Sequence, residues 1–307
     1  MVIGHAKVLA YFDKAIKNKS LAHSYALIGR ASLGKMTLAR VVAGKILGVA
    51  PEKLATHPDF TAVFRLTDEK TGKLKTEISV AQARELKNSL TRPSWSAEYR
   101  VVIIKEADKL SLEAGNALLK FLEEPVTKTV VFLLAEDDGD ILPTVKSRVQ
   151  IFNLFPVATA ELSAGLKADG YAAAEIESVL ALSFGRPGVA LALLNDESER
   201  ARVVAEHQRF EALRGQPFYS QVKRTEDLFS KTNEEETRQA EKIADLFNWW
   251  SLWWQEELVS NLKLPDNNEP RAAQKILGVL DALSEGRRFL AQQVNPRLVL
   301  ENVIMQF

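Results

Sequence analysis

Residues 23–48 read "HSYALIGRASLGKMTLARVVAGKILG". The apolar run ending at Gly29 predicts a short buried strand, and Leu38, Val41, Val42 and Ile46 recur at the spacing of a helix. Between them, Gly29, Gly34 and Lys35 stand at the G-x-x-x-x-G-K spacing of a phosphate-binding loop. In such a loop the glycines let backbone N–H groups wrap phosphates, and the lysine reaches the β- and γ-phosphates. The next position, where a Ser or Thr hydroxyl would ligate Mg²⁺, is Met36. A thioether is too soft a ligand for that cation. Thr37 does not simply take its place, because one step along a helix turns the side chain by about 100°. On the loop alone, a plain glycine-containing turn and a degenerate phosphate site both stay open.

The pattern continues outward as strands interleaved with helices. "ISVAQARELKNSLTRP" (78–93) predicts a helix stopped by Pro93. The run Val101–Ile104 in "YRVVIIKEAD" has the continuous apolar character of a strand buried on both faces. "SLEAGNALLKFLEEP" predicts a helix opened by Ser111, with Glu113 favourable to its N-terminus, and closed before Pro125. "TVVFLLAE" is a further buried strand. Together these predict, over residues 1–155, a mostly parallel sheet covered on both faces. From 156 to 200 three short helices follow ("TAELSAGLKADG", "AAAEIESVLALSF", "GVALALLND"), and 201–307 is helical with breaks near "GQPF" and "KLPDNNEP".

Two further stretches bear on chemistry. A metal-assisted NTPase needs an acidic pair after a buried strand, one carboxylate for Mg²⁺ and one for the attacking water. Here that place reads Lys105-Glu106-Ala107-Asp108, so a cation replaces the metal-side carboxylate. With Met36, both protein contacts to Mg²⁺ are missing, which argues against turnover. The Lys105 ammonium either fills roughly the metal's place, paired with Glu106 or Asp108, or is a surface lysine at a strand end. The other stretch, "LPTVKSRVQ" (142–150), is expected just after the last sheet strand. Its Ser147-Arg148 pair is either simply solvated or projects an arginine into a neighbouring subunit's site, where it would stabilise charge on a γ-phosphate.

Composition narrows the classes. Lys plus Arg and Asp plus Glu are 40 each, so no bulk positive field draws the 307-residue chain to DNA or an anionic membrane. The absence of cysteine excludes disulfides, thiolate zinc sites and a cysteine nucleophile, and suits a cytoplasmic setting. The first twenty residues mix charge with apolar spacing, unlike a signal peptide, and no apolar run reaches the roughly 18 residues of a membrane span. His5, His23, His57 and His207 are scattered without metal spacing. Trp249, Trp250, Trp253 and Trp254 share a helix face without interleaved Lys or Arg, which favours core or subunit packing over base stacking.

"HSYALIGRASLGKMTLAR", "YRVVIIKEADKLSLEAGNALLKFLEEP" and "ILPTVKSRVQ" resemble, in order and spacing, the δ′ subunits of bacterial DNA polymerase III clamp loaders, within the AAA+ superfamily. The resemblance runs from His23 to about Gln150, is weaker through the lid and beyond 200 is one of length and helicity. It implies an α/β plus all-α architecture: a RecA-like AAA+ domain (1–155) with degenerate Walker A and B motifs, a helical lid (156–200) and a helical collar for ring assembly (201–307). Gly29, Gly34 and Lys35 would be a vestigial Walker A, and Lys105, Glu106 and Asp108 a vestigial Walker B with Glu106 at the catalytic-base position. Ser147 and Arg148 would match a Ser-Arg-Cys motif, Arg148 being an arginine finger acting in trans. The implied function is that of a non-hydrolysing subunit of the polymerase holoenzyme that helps load the β sliding clamp onto primed DNA. Its implied partners are the γ/τ ATPase subunits, the δ subunit, the β clamp and, through the complex, primed DNA, with no membrane. The alternative is a γ/τ-like subunit that hydrolyses ATP. No cofactor is expected: ATP binding would be weak or absent, and "ILGVAPEKLATHPDF" lacks the cysteines of the zinc module found in many relatives. Ser32 replaces a loop glycine, Val149 the motif's cysteine, and Gly188 a sensor arginine, with Arg186 two residues early.

Overall fold

Alternate side chains of the central strands go to opposite sides of the sheet and find apolar partners on both. Tyr25, Leu27, Val101, Ile103, Phe132 and Leu134 enter one buried cluster, while Ala26, Ile28, Val102, Ile104, Leu133 and Ala135 enter the other. This pattern comes from a computed structural model that describes residues 2–68, 72, 74–90, 95, 97–123, 128–137, 139, 141–229, 236–263 and 270–307. The expected loop at 263–270 falls mostly outside the described residues, as do the expected stops Pro93 and Pro125.

The chain divides into two compact units, Met1–Asn195 and Asp196–Phe307. The first begins with α1 (Ala6–Lys17), β1 (Ser24–Ile28), α2 (Lys35–Leu47) and β2 (Phe60–Val63). It continues with α3 (Val80–Leu90), β3 (Arg100–Lys105), α4 (Leu112–Glu123) and β4 (Thr129–Ala135). After these come α5 (Pro143–Lys146), β5 (Gln150–Asn153), α6 (Thr159–Ala168), α7 (Ala173–Ser183) and α8 (Pro187–Asn195). Among the described residues the sheet has the order β2-β3-β4-β1-β5, with every neighbouring pair parallel. Residues of α1 and α2 cover one face and residues of α3 and α4 the other, so the strands read as apolar runs rather than alternating ones.

Local signals explain the helix ends. The Ser111 hydroxyl accepts from the Ala114 N–H at 3.1 Å and caps α4, and Pro187 opens α8, where its missing N–H costs nothing. Gly29 leaves β1 with its φ at 154°. A Cβ there would lie 2.5 Å from the Leu154 carbonyl oxygen, so only glycine fits between β1 and the end of β5.

Ser147 and Arg148 were expected after the last strand; they precede it, between α5 and β5. β5 escaped notice because "QIFN" is a four-residue edge strand with no fully buried position, and the partly buried β2 escaped for the same reason.

The second unit consists of α9 (Glu197–Leu213), α10 (Phe218–Thr225), α11 (Glu236–Lys263), α12 (Pro270–Ala291) and α13 (Pro296–Ile304). Its core is aromatic. Trp250, Trp253 and Trp254 of α11 are buried. Phe307 packs 4.9 Å from Trp250 and 5.4 Å from Trp254, and Phe210 of α9 lies 5.1 Å from Trp253, ring centre to ring centre. Trp249 stacks on Trp253 from the rim of this cluster. The tryptophan face is therefore core, and buried rings offer no platform for bases. Truncating a fully buried large aromatic costs about 3–5 kcal/mol. Trp250→Ala is expected to lose that much in denaturant unfolding and Trp249→Ala far less; equal losses would contradict this placement.

Candidate functional site

Because all five described strands run parallel, their carboxyl ends line one edge of the sheet, the place where open α/β sheets gather ligand-binding loops. A cavity of about 430 Å³ lies there. The loop after β1 supplies Gly34 and the first turn of α2 supplies Lys35, Met36 and Thr37; Lys105 ends β3 and Glu106 and Asp108 follow it; Glu136 follows β4; and Gly188 comes from α8. Gly29 precedes the loop at the end of β1. Gly34, Lys35, Lys105, Glu106 and Asp108, far apart in sequence, thus meet in one cavity.

Several of the charged groups in this cavity are paired within the chain. The Lys35 ammonium donates to the carbonyl oxygens of Gly29 and Arg30, the latter at 2.8 Å. Burial pushes its pKa down, while the Glu136 and Asp108 carboxylates oppose that shift. Glu106 is held by a forked pair with Arg65, Nε to Oε2 at 2.9 Å and Nη2 to Oε1 at 2.8 Å. Arg65 stands two residues past β2 and also donates to the Lys75 carbonyl at 3.1 Å. The hydrogen bond from Arg65 holds the Glu106 carboxyl below its ordinary pKa against the opposing effect of burial. The Asp108 side chain is buried, with Oδ2 3.1 Å from the Lys109 ammonium and Oδ1 without a hydrogen-bond partner among the described residues. Lys105 is exposed at the strand end. Glu106 and Asp108 take their ion pairs from Arg65 and Lys109 rather than from Lys105.

Met36 lines the cavity and also packs against the apolar cluster under α2. Thr37 reaches the lining as well. Ser32 adopts φ 64°, the left-handed conformation a glycine would take more easily. Its carbonyl accepts from the Gly188 N–H at 2.9 Å. A Cβ on Gly188 would lie 3.0 Å from that oxygen, so the start of α8 sits directly on the loop. Arg186 is buried; its Nε donates to the Ser183 carbonyl at 3.3 Å and its guanidinium lies over the Phe184 ring.

Arg148 lies elsewhere. The Ser24 hydroxyl donates to the Arg148 carbonyl at 2.6 Å, which ties it to the first residue of β1. That is the amino edge of the sheet, about 16 Å from the loop after β1 at ~3.3 Å per residue. Arg148 therefore does not serve the cavity of its own chain. Its Nη1 donates to the Thr144 carbonyl at 2.8 Å and to the Ser147 hydroxyl at 3.0 Å. Ser147 in turn donates to Thr144 at 3.1 Å. The Glu123 carboxylate takes the other side of the guanidinium, from Nε at 2.6 Å and from Nη2. The sequence reading missed Arg65, Glu123 and Glu136. Arg65 and Glu123 lie outside the motifs that define the positions they hold, and no spacing rule links them to those positions.

With this geometry in place, comparison with known proteins is specific. The profile of the family described as DNA polymerase III, delta subunit, matches residues 4–158. A curated relative from Pseudomonas aeruginosa, DNA polymerase III subunit delta', is 36% identical over 201 residues, 60% of this chain and 60% of the relative. One of the same name from Haemophilus influenzae is 31% identical over 195 residues, 58% of this chain and 57% of the relative. The matched part thus spans less than two thirds of these relatives' length. The crystal structure of a DNA polymerase III gamma subunit-related protein from Thermotoga maritima superposes with a TM-score of 0.53 at 17% identity, covering 96% of this chain and 97% of that one. At that identity the likeness concerns the fold alone: a parallel α/β domain accompanied by helical segments.

The Arg65–Glu106 pair has a testable pH signature. A carboxyl whose folded pKa lies below its unfolded value contributes stability above the unfolded pKa and loses it as pH falls through the folded one. Arg65→Ala is expected to move the Glu106 carboxyl titration, followed by ¹³C chemical shift, upward toward its ordinary value. It should also cost about 1 kcal/mol near neutrality, the upper end for partly exposed pairs. An unmoved Glu106 midpoint would contradict the pairing.

Proposed function

The chain belongs to the family described as DNA polymerase III, delta subunit, and from that premise we propose that it is a delta'-type clamp-loader subunit that does not hydrolyse ATP. It works in the cytoplasm as one member of a ring with γ/τ-type ATPase subunits and a δ subunit. That ring opens a β-type sliding clamp and sets it on primed DNA. The present chain contributes a rigid α/β domain, a helical segment for assembly, and Arg148 directed at a neighbour's ATP.

The observation that carries this reading is the separation of the two sites: the phosphate-type cavity at the carboxyl edge of the sheet, Arg148 at the amino edge. An arginine so placed is away from its own chain's cavity and is positioned to meet another molecule. In a ring of similar domains, the amino edge of one subunit facing the carboxyl edge of the next would give it a γ-phosphate to meet. There the guanidinium stabilises charge as it develops on the phosphoryl oxygens, and Ser147 fixes the plane of the head group through its bond to Nη1.

The cavity of this chain supports the other half of the proposal. Mg²⁺-bound ATP does not fit the residues present. Met36 and Lys105 stand at the two ligand positions, and Glu106 is paired with Arg65. No step of hydrolysis is assigned to this cavity, and neither zinc nor a tightly held nucleotide is part of the proposal. Among the described residues no helix is long and apolar enough to cross a membrane.

Arginine fingers contribute about 10³–10⁵ to phosphoryl-transfer rates. Arg148→Ala is expected to leave ring assembly intact and to lower hydrolysis at the neighbouring site on that scale. Steady-state ATP turnover of the reconstituted loader with clamp and primed DNA reads the loss. Unchanged turnover in an assembled ring would overturn the trans role.

A further inference from the structure

We propose that Glu123 is a positioning residue for Arg148: a carboxylate latch that holds the guanidinium on its own chain until a neighbour's phosphate displaces it. The proposal rests on the trans role of Arg148 and adds a control to it. A guanidinium has five N–H donors in a fixed plane. Two of its nitrogens, Nε and Nη2, converge on Glu123 Oε1. The third, Nη1, is occupied by the Thr144 carbonyl and the Ser147 hydroxyl.

Arginine grips a phosphate best with two parallel N–H groups, and the edge formed by Nε and Nη2 suits that purpose. Glu123, the last residue of α4, covers this edge. The contacts on Nη1 come from the segment that carries Arg148 itself and can persist while the other edge changes partner. One side of the guanidinium is thus fixed and the other is exchangeable. A phosphate oxygen and the Glu123 carboxylate compete for the same donors, and two anions cannot share them without repulsion.

The latch is weak enough to open. The Arg148 and Glu123 side chains are 32% and 46% exposed, so water and salt screen the pair. Exposed ion pairs bias an equilibrium by no more than about fivefold. Such a bias suppresses engagement while the neighbouring phosphate is poorly placed and yields once the ring brings it into line. Glu123 would therefore set the idle rate of the loader rather than its maximal rate.

The test uses the reconstituted loader and the variants Glu123→Gln and Glu123→Ala. Without clamp and DNA, ATP turnover is expected to rise about two- to fivefold in either variant. The Glu123→Gln/Arg148→Ala double variant should behave as Arg148→Ala alone, because the latch acts only through the arginine. In the isolated full chain, hydrogen exchange of the Arg148 Nε–H should accelerate by a similar factor. Idle turnover that is unchanged or falls, or an increment that survives in the double variant, would overturn the latch; so would unaccelerated exchange. Failure of the trans role is read separately: Arg148→Ala would then leave turnover at the wild-type level, whatever Glu123 does to exchange.

Discussion

The first unit depends on one constraint, the burial of β1, β3 and β4 on both faces. Tyr25, Leu27, Ile103 and Phe132 require a covering layer on one side, and Ile28, Val102, Ile104 and Leu133 require one on the other. Parallel neighbours with helices on both faces satisfy that demand. The connections then deliver the loops after β1, β3 and β4 to one edge and the approach to β5 to the opposite edge. The cavity and Arg148 are separated because the sheet separates them.

Within the cavity, three charged side chains take partners from the chain itself. Lys35 turns onto the carbonyls of its own loop, Glu106 onto Arg65, and Asp108 onto Lys109. Each pairing offsets part of the cost of a partly buried charge, while Asp108 Oδ1 is left without a partner among the described residues. The Ser32–Gly188 bond draws α8 onto the loop, at a position where a side chain in place of Gly188 would press on the Ser32 carbonyl. At the other edge the same economy applies to Arg148, whose partners are Thr144, Ser147 and Glu123.

Much of this was legible in the sequence, for a physical reason. Long apolar runs such as "VVII" and "VVFLLA" have few alternatives to doubly buried strands, and the three short helices of 159–195 announce themselves by spacing and by their glycine and proline ends. The spacing of Gly29, Gly34 and Lys35 was readable because it is local to one turn. Edge strands β2 and β5 were not legible, since their packing comes from a neighbour found only in three dimensions. Arg65, 41 residues from Glu106, and Glu123, 25 residues from Arg148, were invisible for the same reason. The position of Arg148 before the last strand followed from missing β5. A charge pair across a fold leaves no period in the sequence.

The central claim is that this chain acts on a neighbour's ATP and does not hydrolyse its own. Its most direct test is single-turnover hydrolysis with the purified chain in excess over ATP and Mg²⁺ present. Phosphate release at the uncatalysed background is the expected result. Release of phosphate that is Mg²⁺-dependent and abolished by Lys35→Ala would contradict it and make the chain an ATPase in its own right.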